Sequence, residues 1–113
     1  MPLPEHGYLA LTATLYPDGN AVSAEILEFD IASCGTDVDH AYAMIVEAVE
    51  GAIEAAYRDS VDGLHVLLRE EKLTVYPNPP RRYRPAAIPS HLLSQPGLIL
   101  RPVSISIEAV LRD

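Results

Sequence analysis

The chain has 113 residues, 49% of them hydrophobic, which allows a single domain with one core. No apolar run is long enough to cross a bilayer, and the first residues, MPLPEHGY, lack the basic and apolar regions of a secretory signal, so we expect a cytoplasmic protein. The formal net charge is −8, and ten acidic residues but no Lys or Arg precede Arg58. This charge argues against nucleic-acid binding by the folded part and favours a basic protein as partner, unless it serves only solubility.

Residues 8–16 and 21–31 predict a β-hairpin. The first segment alternates apolar and polar residues, as in a half-buried strand whose threonines point outward. The sequence Pro-Asp-Gly-Asn at 17–20 predicts a tight turn between the two strands. In the second segment the apolar positions change parity after Ile26, which predicts a bulge or bend there that brings both sets to one core.

The stretch TDVDHAYAMIVEAVEGAIEAAYR predicts one long amphipathic helix over residues 37–58. Its apolar residues recur every three or four positions, and most of its acidic residues fall outside that stripe. Thr36 or Asp37 is suited to accept hydrogen bonds from the first free backbone amides. Gly51 lies in mid-helix, where glycine costs about 1 kcal/mol relative to alanine, so we expect a close backbone approach at this position.

Shorter elements are predicted on both sides of this helix. Residues 31–36 fit a brief third strand or a turn, and Cys34, the single cysteine, forms no internal disulfide and is expected to be a small buried residue. Residues 63–72 carry leucines at helical spacing and predict a short helix. Residues 73–76, LTVY, read as a strand that follows it.

The C-terminal part changes in composition. Residues 77–89 are rich in proline and predict an extended arm, followed by one helical turn at 90–93 and a Gln-Pro-Gly turn. Alternating apolar residues then predict a strand that continues to Leu111. This strand needs an edge to pair with, either in its own sheet or in a neighbouring copy, and we expect a homo-oligomer. The predicted units are therefore an α+β domain over 1–76, an arm over 77–97 and a C-terminal strand within 98–113.

No catalytic signature is present in the sequence. The serines have no Gly-x-Ser-x-Gly context, and there is no glycine-rich phosphate loop. The four histidines lie in different predicted elements, without the spacing that puts two metal ligands on one helix face. The acids between Glu25 and Asp39 suggest a magnesium cluster, but the predicted central strand supplies no carboxylate to it. We therefore expect no enzyme activity, no metal and no cofactor.

Two groups of charged residues are the candidate contacts with a partner. The acidic group is expected to bind a basic protein, and it comprises Glu25, Glu28, Asp30, Glu47, Glu50 and Glu54. The basic group lies in the arm and comprises Arg81, Arg82, Tyr83 and Arg84. A basic segment with an interleaved aromatic can contact phosphates and stack on a base. Because these arginines are few beside the acids, a clamp onto the acidic half of the same or a neighbouring chain is the favoured interpretation.

The order of hairpin, short third strand ending in Cys-Gly-Thr, and helix rich in Ala and Glu resembles the HicB-like antitoxin family. The matching segments, LALTATLYPDGNAVSAEILEFDIASCGTD and AYAMIVEAVEGAIEAAYRD, lie within about residues 7–59. The resemblance implies a partial RNase H-like fold, β-β-β-α-β, without nuclease activity. It also implies the role of binding and blocking a small, basic, mRNA-cleaving HicA toxin.

The sequence thus predicts an α+β fold, an antiparallel sheet covered by one long helix, with a C-terminal strand on a proline-rich arm. The first functional hypothesis is a non-enzymatic antitoxin-type module that binds a basic protein through its acidic surface. The second is a solitary oligomeric domain that uses its C-terminal arm for self-assembly. The third is a weak nucleic-acid binder acting through Arg81 to Arg84.

Overall fold

The computed structural model describes residues 6–60, 62–79 and 87–111. Its elements are β1 (Tyr8–Asp18), β2 (Ala21–Ile26), β3 (Ala32–Gly35), α1 (Val38–Asp59), α2 (Gly63–Glu70), α3 (Ser90–Leu93), β4 (Ile99–Ser106) and α4 (Ile107–Leu111). The four strands form one antiparallel sheet in the order β3-β2-β1-β4, and α1 packs on one face of it, so the predicted α+β class is confirmed. Within these ranges no helix is both long enough and apolar enough to cross a membrane.

The hairpin of β1 and β2 forms as predicted. Asp18 pairs with Ala21, which leaves Gly19 and Asn20 as a two-residue loop. Gly19 has a φ of +65°, whereas Asn20 does not have a positive φ, the pattern of a type II′ turn. Glycine adopts this conformation at little steric cost, so the turn fixes the register of the two strands.

The second strand is shorter than predicted. β2 ends at Ile26, and the chain then bends through residues 27–31, where Ile26 N donates back to Ile31 O over 3.2 Å. The bend brings Phe29 and Ile31 to the same core as the apolar side of β2, so the predicted change of direction is confirmed. The prediction that the strand itself continues to Ile31 is wrong, because the bend breaks the ladder.

Helix α1 begins and packs as its sequence predicts. The N-cap is Asp37, whose Oδ1 accepts from His40 N over 2.7 Å. Its buried stripe, which includes Ile45, Val49 and Ile53, lies against the apolar side of the sheet. Burial of each of these three side chains contributes about 1.5–3 kcal/mol to stability.

Two small residues are not where the sequence analysis expected them. Gly51 is exposed, and a Cβ added there would meet nothing within 4 Å, so the predicted close approach is wrong. The helical turn of 100° per residue places Gly51 on the outer side of α1, beside Glu47 and Glu54. Cys34 is exposed, because its side chain points away from α1 on the short edge strand β3, and the prediction that it is buried is wrong.

After α1, the predicted short helix is confirmed as α2, but the predicted strand over 73–76 is wrong. Only Tyr76 makes a bridge, to Tyr8, with N···O distances of 2.8 and 2.9 Å. Leu73 N donates to Leu68 O over 2.8 Å, which holds the start of this segment at the end of α2. The segment therefore stands away from β1 before Tyr76, and a cavity lined by Ala10, Lys72 and Thr74 lies between them.

The last strand pairs with β1 of the same chain, from Tyr8 opposite Ser106 to Leu15 opposite Ile99. The predicted continuation of this strand to Leu111 is wrong, because the chain turns into α4 at Ile107. Ile107 N donates to Gly7 O at the start of β1, where the ladder ends, and Ser106 Oγ accepts from Ala109 N at the start of the new helix. The apolar residues of α4 then pack on the main core.

The sheet face away from α1 is partly covered by other segments of the chain. The alternating pattern of β1 had predicted that this face is open to solvent. Thr12 and Thr14 lie on this face and both are fully buried. The side chain of Glu28 reaches over Thr12, and α3 lies against this face near Glu25. Leu92 of α3 is buried, although it is not part of the main core cluster. The expectation that the threonines point to solvent is therefore wrong.

Candidate partner-binding site

The structure divides the six predicted acidic residues between the two faces of the sheet. Three lie on α1, which packs on the face formed by the apolar residues of β1. The others lie on β2 and in the bend that follows it, with Glu25 beside Thr14 on the opposite face. The two sets are Glu47, Glu50 and Glu54 on the helix, and Glu25, Glu28 and Asp30 near the end of β2. They do not form a single acidic surface.

Glu28 is occupied within the fold. Its Oε1 accepts from Thr12 N over 2.7 Å, and its Oε2 accepts from Thr12 Oγ1 over 2.9 Å. The carboxylate thereby satisfies a strand N–H at the point where β2 has bent away from β1. Both oxygens hold the bend, so Glu28 has a structural role, and its predicted contact with a partner stays a prediction.

The α1 glutamates follow the outer side of the helix. Glu47 is exposed, and Glu50 and Glu54 are half-buried. Glu54 forms an ion pair with Arg58, one helical turn further on. Within the described ranges, Glu47 and Glu50 have no such partner and remain able to contact a cation of another molecule.

A cavity of about 130 Å³ opens beside Glu25 on the face away from α1. Its polar lining residues are Glu25, Asp30 and His91. The rest of its lining is mainly apolar and consists of Ile26, Leu27, Ile31, Ala32, Pro89 and Leu92. The Oε2 atom of Glu25 is buried and has no hydrogen-bond partner, although most buried polar atoms in proteins have one.

A second cavity, of about 180 Å³, lies between β1 and the segment that contains Tyr76. Its charged lining residues are Glu28 and Lys72. Because the Glu28 carboxylate already accepts two hydrogen bonds from Thr12, this cavity offers no unsatisfied acidic group.

Basic side chains are few in the part of the chain that the structure describes. They are Arg58, Arg69, Lys72 and Arg101. Arg101 donates to Asp39 over 2.9 Å, and its guanidinium lies 5.4 Å from the centre of the Tyr42 ring. With Arg58 paired to Glu54, two of these four cations are already bound to carboxylates.

The predicted basic group, Arg81, Arg82, Tyr83 and Arg84, lies outside the described residues. Its roles as a clamp or as a nucleic-acid contact therefore stay predictions. Among the described residues, the His, Cys, Asp and Glu side chains form no group of three that could hold a metal ion.

No protein-family model matches this chain, and neither a curated protein nor a solved structure matches it. The HicB-like resemblance consequently stays a hypothesis based on the order and composition of its segments.

Sequence reasoning named Glu25 and Asp30 but missed His91 and Leu92, which complete the cavity. The sequence does contain one indication that this face is covered. The residues of β1 that face away from α1, Thr12 and Thr14, are uncharged and lie between apolar neighbours. Such a strand is suited to burial on both faces, which would have required a covering segment from elsewhere in the chain.

Proposed function

We propose that this chain is a non-enzymatic, antitoxin-type module that binds a small basic protein. The resemblance to HicB-like antitoxins would make that partner an mRNA-cleaving toxin. The observation that supports the proposal is a set of carboxylates without cationic partners in the described chain: Glu47 and Glu50 on α1, and Glu25 and Asp30 at the cavity. Unpaired charges of one sign attract a partner of the opposite sign and orient its approach.

The test uses a small basic protein encoded in a reading frame next to that of this chain, and the absence of such a frame would contradict the proposal. We expect the two purified proteins to form a stoichiometric complex in size-exclusion chromatography. Its affinity should fall as salt is raised, because exposed charges are screened beyond about 10 Å at 0.1 M ionic strength. Failure to bind a neighbouring basic protein at low salt would contradict the proposal.

Matched charge reversals locate the acidic group that the partner uses. Asp30→Lys changes the cavity group, Glu47→Lys changes the α1 group, and Glu70→Lys on α2 is the control with the same change in net charge. We expect Asp30→Lys or Glu47→Lys to weaken the complex about tenfold, and Glu70→Lys to weaken it less than twofold, since like-charge contacts act mainly at the interface. Equal weakening by all three would mean that only net charge matters and would argue against a defined surface.

The other two hypotheses stay predictions. Self-assembly through the C-terminal arm was based on a last strand in need of an edge, and β4 pairs with β1 of its own chain. Nucleic-acid binding was based on Arg81 to Arg84, which lie outside the described residues. Neither has a specific observation in its favour here.

A further inference from the structure

The edge of the sheet formed by β3 has backbone groups that face away from the sheet. Ile26 N donates to Ile31 O, and bonded and non-bonded pairs alternate along an antiparallel ladder, so Ser33 also bonds toward β2. The N–H and C=O groups of Ala32 and Cys34 therefore point outward. Within the described ranges, no other segment donates to these groups or accepts from them.

The two edges of the sheet differ in how they are protected. On β4, Pro102 has no N–H, and its carbonyl oxygen accepts from Tyr42 Oη over 2.7 Å. β3 has the sequence Ala-Ser-Cys-Gly, without proline or charge and with small side chains. Proline and charged side chains are devices that keep an edge strand from pairing, and β3 limits pairing only by its length of four residues. This edge is therefore able to accept an added strand.

Two exposed carboxylates flank the β3 edge. Asp30 lies two residues before β3, and Asp37 lies two residues after it. Neither forms an ion pair with a cation of the described chain, although Asp37 Oδ1 accepts from His40 N as the cap of α1. An added strand with a cation near each end would place opposite charges side by side at both ends of β3.

The same carboxylates oppose a second copy of this chain as the added strand. The two-fold antiparallel register that uses every outward group pairs Ala32 of each copy with Cys34 of the other. In this register Asp30 of each copy lies opposite Thr36 of the other, and so next to Asp37 of that copy. Like charges at both ends of so short a strand destabilise the pairing.

We infer that an extended segment of the basic partner adds to the sheet at β3, with Lys or Arg residues beside Asp30 and Asp37. The backbone of this segment bonds to the outward N–H and C=O groups of Ala32 and Cys34, and its cations pair with the two carboxylates. The inference rests on the proposed function and names the surface that the partner contacts and the conformation that it adopts there.

The test is an NMR titration of the full ¹⁵N-labelled chain, under reducing conditions, with a blocked octapeptide that has Lys at both ends and alternating Thr and Val between them. Its length matches the span from Asp30 to Asp37. We expect saturable shifts of the amide signals of Ala32, Ser33 and Cys34. Hydrogen exchange of the Ala32 and Cys34 amides should slow, because they become donors to the added strand. The same peptide with Glu in place of Lys should bind about tenfold more weakly or less.

A matched pair of substitutions separates strand addition from attraction between charges. Cys34→Pro should weaken binding of the Lys peptide about fivefold or more, because proline removes an outward N–H and its ring occupies the place of the added strand. Cys34→Ala, which loses the same thiol but keeps the N–H, should change the affinity less than twofold. If Cys34→Pro alters the spectrum as a whole, Ala32→Pro with Ala32→Ser as its control replaces the pair with the same expectation.

Several results would overturn the inference: no saturable shift in β3, equal binding of the Glu peptide, or equal weakening by Cys34→Pro and Cys34→Ala. A second copy as the occupant would also overturn it. Light scattering would then give a molar mass above that of one chain, and Cys34→Pro would return it to that of one chain.

The inference and the proposed function fail separately. A complex with the neighbouring basic protein that forms equally well with Cys34→Pro keeps the proposed function and overturns the inference. Addition of the Lys peptide to β3 without any complex with that protein does the reverse.

Discussion

At the scale of single residues, Gly35 and Gly51 have opposite surroundings. A Cβ on Gly35 would lie 2.4 Å from the backbone nitrogen of Ala41, so β3 and the start of α1 are in contact there. A Cβ on Gly51 would meet nothing, and the backbone at this position is not in the left-handed region. The first glycine is therefore required by packing, whereas the second costs helix stability without a contact in return.

We predict that Gly51→Ala raises the free energy of unfolding by about 0.5–1 kcal/mol, because alanine has the higher helix propensity and the site has room for its methyl group. Gly35→Ala is the matched comparison and should lower it by about 1–3 kcal/mol through overpacking against α1. Urea unfolding followed by circular dichroism measures both. Destabilisation by Gly51→Ala would show that the outer side of α1 is covered by another group.

The bond between Glu28 and Thr12 gives a second prediction at this scale. Glu28→Ala removes two hydrogen bonds that a fully buried threonine donates to this carboxylate, and should lower the free energy of unfolding by about 1–3 kcal/mol. Asp30→Ala, two residues away and exposed, is the control and should stay within about 0.5 kcal/mol. Similar urea midpoints for the two variants would contradict the structural role of Glu28.

At the scale of elements, the outer edge of β4 offers no free backbone hydrogen-bonding group at Pro102, near the middle of the strand. Leu100, Pro102 and Ser104 have their backbone groups directed away from β1, since the odd-numbered residues face it. Pro102 has no N–H, and its carbonyl oxygen accepts from Tyr42 Oη over 2.7 Å. A proline and an occupied carbonyl are devices that keep an edge strand from pairing with another chain.

We predict that the double variant Tyr42→Phe and Pro102→Val associates through this edge, because it restores an outward donor and frees the outward acceptor. Light scattering should show a molar mass that rises with protein concentration more steeply than for the unaltered chain. Ser104→Val, which also adds a β-branched residue to β4 but leaves the Pro102 carbonyl capped, is the control. Unchanged mass in the double variant would mean that the edge is protected by something other than these two groups.

The elements that sequence predicted well are those whose signals are local. Asp37 caps α1 by its own side chain, and Gly19 supplies the positive φ of the hairpin turn. The errors come from tertiary contacts. The apolar side chain of Ile107 suits both the alternating pattern of β4 and the start of a helix. The strand ends there because Ile107 N donates to Gly7 O, where the ladder with β1 ends. The acidic residues of the candidate site could be predicted from the composition of the chain. The cavity could not, because α3, which lines it, is separated from β2 in sequence by the proline-rich segment.

At the scale of the whole molecule, the sheet separates the α1 glutamates Glu47 and Glu50 from Glu25 and Asp30. A partner that contacts the α1 glutamates approaches one face, and a partner that contacts Asp30 approaches the other. A small basic protein on one face would leave the second group in solvent. The charge reversals at Asp30 and Glu47 therefore distinguish two orientations of the complex as well as testing its existence.

The side-by-side arrangement of β1 and β4 has a consequence for synthesis of the chain. The central strand emerges first from the ribosome and pairs early with its hairpin neighbour, whereas its other long side stays open until the last strand has been made. Completion of the sheet is thus a late, non-local step, and such steps are slower than the closing of a hairpin. A nascent chain stalled before residue 99 would carry an unpaired central strand, which makes translation arrest a direct route to its aggregation.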